Sequence, residues 1–169
     1  MKKIVFVMLV ATFSLLSSET ALACVCGGDP RPLSDEEIRA GIAKEYDQSV
    51  VVFSGEVVEL DTYNVKFKIA KLWKGDPADE ILMSTGTVKI DEMHARSSSC
   101  DYRFKLGEKY LVYARTFEAG LVAYKCTGTK ILKNAERDMM ELDNLNPIAY
   151  QPQAPHALLQ RRNLTKPCS

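Results

Sequence analysis

Residues 50–60, with the sequence VVVFSGEVVEL, form the stretch from which the fold class follows. β-branched and aromatic residues dominate this stretch, and they favour the extended backbone of a partly buried sheet. Gly55 interrupts the apolar run, and a glycine inside such a pattern is typical of a β-bulge. We therefore predict one long strand with a bulge at Gly55.

Further strands follow at short spacing along the chain. Residues 63–69 alternate between apolar and polar side chains, as expected for a strand with one buried face. Residues 81–85 form a short third strand, residues 110–114 form a strong and wholly apolar fourth, and residues 121–126 form a fifth. The segment 87–99 shows no period, so we predict that it is irregular.

Helical patterns precede and follow the strands. Ser34 and Glu37 match a capping box, and apolar residues then recur at helical spacing, which predicts a helix over residues 35–46. A second helix is predicted over residues 134–145. Residues 147–169 contain four prolines and no sustained period, so we interpret them as a loosely ordered tail.

The order of these elements indicates the fold class. Five closely spaced strands between two helices predict a mainly β protein built on a small antiparallel barrel, closed or half-closed. A twisted sheet packed on two helices is the alternative. The segment between the signal and the tail, residues 24–146, has the length of one domain.

The N-terminus carries the pattern of an export signal. Two lysines precede an apolar run over residues 4–16, which is short for a membrane span, and Ala21-Leu22-Ala23 fits a small-residue cleavage site. We predict that residues 1–23 are a signal peptide and that the mature chain begins at Cys24. The protein is then exported to the periplasm or the extracellular space.

Lipid modification of Cys24 is an alternative outcome of the same signal. Lipoprotein signals usually place a larger aliphatic residue three positions before the cysteine, and Ala21 stands there in this chain. Simple cleavage is therefore favoured over anchoring of the chain to a membrane through Cys24.

The charge balance excludes one group of partners. The chain has 22 basic and 22 acidic residues, and loss of the signal leaves 20 basic and 21 acidic residues. A near-neutral chain offers no electrostatic attraction to nucleic acid or to an anionic membrane. We therefore expect neither partner, unless Cys24 is lipidated.

All five cysteines lie in the exported part of the chain, at positions 24, 26, 100, 126 and 168. Export leads to an oxidising compartment, where disulfides are expected. Five thiols leave one unpaired in a monomer and allow 15 arrangements, among which spacing alone does not select. Cys168 is compatible with a free thiol, a dimer bridge or an alternative partner for Cys24 or Cys26.

The sequence carries no pattern of an enzyme. His94 lies near Asp91 and Glu92, but the spacing of metal-ligating histidines is absent, so a surface loop is the better interpretation. No nucleophile motif is found either. We therefore predict a protein that is not an enzyme and has no cofactor. The alternating aromatic residues are predicted to be core rather than a stacking platform: Tyr63, Phe67, Trp73, Tyr110 and Tyr113.

Several short motifs occur in an order that resembles a known family. They are Cys24-Val25-Cys26, Phe53-Ser54-Gly55-Glu56-Val57, Leu72-Trp73-Lys74-Gly75, Cys100, Gly107-Glu108-Lys109-Tyr110-Leu111-Val112-Tyr113-Ala114 and Cys126. In this order, after a signal peptide, they resemble the tissue inhibitors of metalloproteinases and the wider netrin-like module, in its small bacterial form. The resemblance covers residues 24–145.

The resemblance implies a fold and a disulfide framework. The family fold is a five-stranded Greek-key barrel of the OB type. The family pairing, carried to this chain, joins Cys24 to Cys100 and Cys26 to Cys126, which leaves Cys168 over.

The resemblance also implies a function and a partner. In the inhibitors of this family, the amine and carbonyl oxygen of the first cysteine chelate the catalytic zinc of a metalloprotease. Cys24 would supply both atoms to the partner's zinc, and Val25 would enter the pocket beside the metal. The chain differs from the animal inhibitors in lacking a third barrel disulfide and a C-terminal domain, and in carrying Val25 where they have a small hydroxyl residue. The alternative is a non-inhibitory interaction module of the cell envelope.

Overall fold

The computed structural model describes residues 24, 26, 27, 31–118 and 120–152. The helices are α1 (Asp35–Gln48), a short 3₁₀ helix (Leu132–Asn134) and α2 (Glu136–Leu145). The strands are β1 (Val51–Leu60), β2 (Asn64–Lys74), β3 (Glu80–Ser84), β4 (Val88–Lys89), β5 (Ala95–Arg96), β6 (Lys109–Phe117), β7 (Gly120–Val122) and β8 (Lys130–Ile131).

Strand β1 lies at the centre of the main sheet. The strand order is β3-β2-β1-β6-β7, with β8 paired to β6, and all of these pairs are antiparallel. The register of β1 against β2 shifts between Ser54 and Gly55, which confirms the predicted bulge. The predicted strands over residues 50–60, 63–69 and 110–114 are confirmed within a few residues.

The sheet curls but does not close. Strands β3 and β7, its two ends, approach each other without forming hydrogen-bonded pairs in the described chain. Strand β3 has five residues and β7 three, so few backbone groups are available to complete a ring. The mainly β, antiparallel fold with two helices is thus confirmed, whereas the closed form of the predicted barrel is not observed.

Two hydrophobic layers cover the two faces of this sheet. The inner face, enclosed by the curl, contains Phe53, Val57, Val65, Phe67, Ile69, Leu72, Met83, Phe104, Tyr110, Val112, Ala114 and Ala123. The outer face packs under both helices and contains Ile42, Val52, Trp73, Leu111, Tyr113, Ala135 and Leu142. Successive residues of β6 alternate between the layers, which explains why its sequence is apolar throughout. Of the five aromatic residues predicted to be core, all but the half-buried Tyr63 are buried.

Helix α1 begins as its sequence predicts. The Glu37 N–H donates to Ser34 Oγ at 3.3 Å, and Glu37 Oε2 accepts from the Ser34 N–H at 2.8 Å, so the capping box is confirmed. The helix extends two residues beyond its predicted end. Helix α2 begins at Glu136, two residues later than predicted, because the 3₁₀ turn occupies the residues before it.

The chain after α2 is packed more closely than its composition predicts. Tyr150 and Leu72 exchange two backbone hydrogen bonds of 2.8 Å, and the Tyr150 hydroxyl donates to Asp79 Oδ1 at 3.0 Å. Tyr150 is therefore attached to β2 and to the segment that follows it. The rest of the predicted tail, residues 153–169, lies outside the described residues, as does the predicted signal peptide.

A helix that spans a bilayer needs about 20 consecutive apolar residues. In the described ranges, neither α1 nor α2 has the length and apolar character needed to cross a bilayer.

Candidate functional site

Two disulfides attach the N-terminal segment to the curled sheet. Cys24 is bonded to Cys100 with the Cα atoms 5.0 Å apart, and Cys26 is bonded to Cys126 with the Cα atoms 5.1 Å apart. These are the two pairs that the family resemblance implies. The bridges join residues 76 and 100 positions apart, so they hold the start of the domain against segments from its second half.

The two anchoring cysteines lie in neighbouring segments that are hydrogen-bonded to each other. The Lys125 N–H donates to the Cys100 carbonyl oxygen at 2.8 Å, and the Tyr102 N–H donates to the Ala123 carbonyl oxygen at 3.0 Å. An isolated antiparallel bridge also pairs Asp101 with Tyr124. Cys24 and Cys26 therefore attach to one rigid platform rather than to two independent loops.

The platform is further fixed by Asp101, which follows Cys100. Its carboxylate is buried and accepts a hydrogen bond from the Ser98 N–H at 2.6 Å, while the Cys100 N–H donates to Ser98 Oγ at 3.1 Å. Gly86 lies against the same carboxylate, where any Cβ would overlap it. The short loop before Cys100 is thereby closed by its own side chains.

The N-terminal segment itself lies at the surface. Cys24 is half-buried, Cys26 and Gly27 are exposed, and none of the three belongs to a helix or strand. The segment depends on the two bridges for its position, because its described residues make no regular backbone pairing. Residue 24 thus lies beside the platform and is partly exposed to solvent.

A cavity of about 440 Å³ lies next to the loop that precedes Cys100. Its wall includes Ser98 and Asp101, the neighbours of Cys100, together with Arg96, Phe117 and Tyr124. Burial, and then the charge of Asp101, raise the pKa of Tyr124 above its usual value. These residues were not singled out from the sequence, since they come from three separate segments with no shared motif.

The hairpin β4–β5 projects from the same part of the molecule. Asp91 Oδ1 accepts from the backbone N–H groups of Met93 and His94, both at 2.8 Å, and so fixes its turn. Met93 is 89% exposed at the tip and Ile90 is 63% exposed beside it. An ordered hairpin that displays apolar side chains is a feature of contact surfaces.

His94, which the sequence analysis assigns to a surface loop rather than to a metal site, lies in this same turn. His94 Nδ1 lies 2.8 Å from Asp91 Oδ1, and both side chains are largely exposed. Within residues 31–118 and the other described parts, no cluster of three or more histidine, cysteine, aspartate or glutamate residues is placed to bind a metal.

Two residues named from the sequence have no described structure. Val25, the residue expected to enter a protease pocket, and Cys168, the unpaired cysteine, lie outside the described residues.

Comparison with known proteins adds no assignment. No family model matches the chain, and no curated protein matches it.

Proposed function

We propose that the mature protein inhibits zinc metalloproteases through the amine and carbonyl oxygen of Cys24. The observation that supports this most directly is the double attachment of the N-terminal segment, at Cys24 and again at Cys26, to one hydrogen-bonded platform. A free chain terminus loses conformational entropy when a partner orders it. A terminus that is already held by two bridges avoids most of that loss, which favours tight binding.

The chemistry of such a terminus suits a catalytic zinc. Zinc in a protease keeps a coordination position open for water or substrate, and amine nitrogen and carbonyl oxygen are both competent donors. An α-amine has a pKa of about 7.7–8.0, so the cost of deprotonating it near neutral pH is small. Cleavage between Ala23 and Cys24 is needed to create this amine, and Val25 would then enter the adjacent substrate pocket.

The finer fold that we propose is the OB type. The strand order β3-β2-β1-β6-β7 is the order of an OB barrel in which the ends of the sheet approach each other. This interpretation agrees with the netrin-like resemblance of the motifs.

The test compares the authentic terminus with a terminus that is one residue longer. The mature chain beginning at Cys24 is assayed against a panel of zinc metalloproteases, beside a variant with one alanine added before Cys24. The extension replaces the amine at residue 24 with an amide that does not bind zinc. We expect inhibition by the authentic chain and a loss of at least about 100-fold in the extended one.

A matched control keeps the amine and changes a neighbouring position. Gly27→Ala adds one methyl group where no atom of the described residues beyond its chain neighbours lies within 4 Å, so it should inhibit as the authentic chain does. Mass spectrometry of the exported protein establishes the mature terminus beforehand. A lipid or acyl group on the Cys24 amine, or equal inhibition by the extended chain, would contradict the proposal.

The second candidate is an interaction module without inhibitory activity. The exposed Met93 and Ile90 on the β4–β5 hairpin favour it, because this surface is independent of the N-terminal amine. Binding of an envelope partner that survives the alanine extension and is lost in a Met93→Lys variant would support this candidate.

A further inference from the structure

The two disulfides of the N-terminal segment touch each other. Cys24 Sγ lies 3.7 Å from Cys126 Sγ, although these two atoms belong to different bridges. This distance is close to the van der Waals contact of two sulfur atoms. The contact joins one sulfur of the N-terminal segment to one sulfur of the platform.

Contact between two bridges matters because disulfides exchange by attack of a thiolate on a neighbouring sulfur. The attacking sulfur must first be released as a thiol, and the target sulfur must be within reach. Cys26 and Cys126 are exposed and Cys24 and Cys100 are half-buried, so a small thiol has access to the site.

We propose that the two bridges form a coupled disulfide pair in which Cys24 moves from Cys100 to Cys126 when a thiol opens the first bridge. A small thiolate attacks Cys100 Sγ, forms a mixed disulfide there and releases the Cys24 thiolate. Cys24 Sγ then bonds to Cys126 Sγ, the Cys26–Cys126 bond breaks, and its electron pair leaves on Cys26 as a thiolate. No net oxidation or reduction of the chain's cysteines accompanies this second step.

The arrangement of the backbone favours this movement. Cys100 is held by the hydrogen bond between its carbonyl and Lys125, so the platform stays in place during exchange. Cys24 belongs to a segment without regular structure, so it is free to follow its new bond. In the exchanged form Cys126 is bonded to Cys24 instead of Cys26, and Cys26 is a thiol. This inference concerns the bridges alone and does not rest on the inhibitor proposal.

The contact predicts different outcomes for four variants, each of which replaces one of the four bridged cysteines by serine in a Cys168→Ser background. Cys100→Ser frees Cys24, and Cys26→Ser frees Cys126, and these are the two sulfurs in contact. Both variants should therefore form the Cys24–Cys126 bridge. With thiols of similar acidity on both sides of the exchange, we expect roughly half of the bridged protein in that form.

The other two variants are the matched controls. Cys24→Ser frees Cys100, and Cys126→Ser frees Cys26, and neither of these sulfurs touches the remaining bridge. Each control should keep its remaining native bridge, Cys26–Cys126 or Cys24–Cys100. All four are equilibrated with a glutathione buffer at mildly alkaline pH, where thiolates form, and are then quenched with acid for peptide mapping by mass spectrometry.

The wild-type disulfide framework gives a second measurement that does not depend on the variants folding. The protein with both bridges is incubated with reduced glutathione, and free thiols are trapped with a maleimide. The expected intermediate carries glutathione on Cys100, the label on Cys26 and a bridge between Cys24 and Cys126. The proposal is overturned if all four variants contain no bridge other than the native ones and if Cys24 appears as a labelled thiol in the wild-type framework.

Discussion

Asp143 joins the helical layer to the sheet through its carboxylate. Its Oδ1 atom accepts a hydrogen bond from Trp73 Nε1 at 2.5 Å and another from Lys71 Nζ at 2.6 Å. Trp73 is only 2% exposed, so its N–H group is largely shielded from water. A buried donor of this kind needs a protein acceptor, and Asp143 supplies it from α2.

We predict that Asp143→Ala lowers the free energy of unfolding at neutral pH by about 1–3 kcal/mol, because it leaves the Trp73 N–H unpaired. The measurement is urea unfolding followed by tryptophan fluorescence. Asp47→Ala is the control, since that side chain is exposed and has no described partner. Equal stability of the two variants would show that water replaces the carboxylate.

The same residue predicts a pH dependence. Burial raises the pKa of Asp143, but the hydrogen bonds from Lys71 and Trp73 outweigh it and hold the pKa below its usual value. A lowered pKa in the folded state means that the stabilisation is present above the unfolded pKa, about 3.9, and is lost as the pH falls through the folded value. Asp143→Asn should therefore lose less stability than the wild type as the pH is lowered from about 5 through this titration.

The sequence alone did not identify this contact. Asp143 lies on the polar side of a predicted helix, where a solvated carboxylate is the ordinary expectation. Its two donors are 70 and 72 positions away and become neighbours only when the helix packs on β2. Local patterns predict which residues are buried, but they do not predict which polar group meets a buried donor.

The bulge in β1 leaves no room for a side chain at Gly55. Gly55 pairs with Ile69 on one side and with Tyr110 on the other, so backbone flanks it in both directions. A Cβ at this position would lie 2.7 Å from the Lys68 carbonyl oxygen. Backbone cannot move aside as a flexible side chain can.

We predict that Gly55→Ala destabilises the protein by about 1–3 kcal/mol through this overlap. Gly41→Ala is the matched control: it lies exposed in α1, has no atom within 4 Å of an added Cβ, and should stabilise the helix by about 0.5–1 kcal/mol. Thermal unfolding of both variants measures the two effects. The argument fails if Gly55→Ala melts at or above the wild-type temperature.

The sequence predicts some strands and backbone pairings of this fold better than others. The apolar patterns of β1, β2 and β6 were sufficient because each strand has at least one continuous buried face. The hairpin β4–β5 was missed because its residues are largely exposed, and its turn is fixed by the Asp91 carboxylate and backbone rather than by apolar alternation. The pairing of Tyr150 with Leu72 was not predicted either, because the prolines of residues 147–169 indicate a loosely ordered segment.

At the scale of the whole molecule, the disulfides decide how the first residues of the domain are placed. Spacing left 15 arrangements of five cysteines, so the pairing came from the family resemblance and not from the pattern of the chain. The same holds for the curl of the sheet, since the approach of β3 to β7 is a tertiary property that no local period records. The number of strands could be predicted, but the degree of closure could not.

The positions of the bridges predict how each contributes to stability. Each bridge alone closes a long loop, with cysteines 76 or 100 positions apart. When one bridge is present, however, the other closes only the short path through residues 24–26 and 100–126, about 28 residues in either case. The chain-entropy model then gives each bridge the same contribution of about 3.6 kcal/mol, despite the different separations.

We therefore predict that replacing either pair by serines, Cys24 with Cys100 or Cys26 with Cys126, lowers the free energy of unfolding by about 3–4 kcal/mol, and by equal amounts. Loss of the remaining bridge should then cost more, about 4–5 kcal/mol, because it opens the full-length loop. Urea unfolding of the double and quadruple serine variants, all with Cys168→Ser to remove a competing thiol, measures these losses. A difference above about 1 kcal/mol between the two double variants would mean that native contacts around one bridge, and not chain entropy, dominate its contribution.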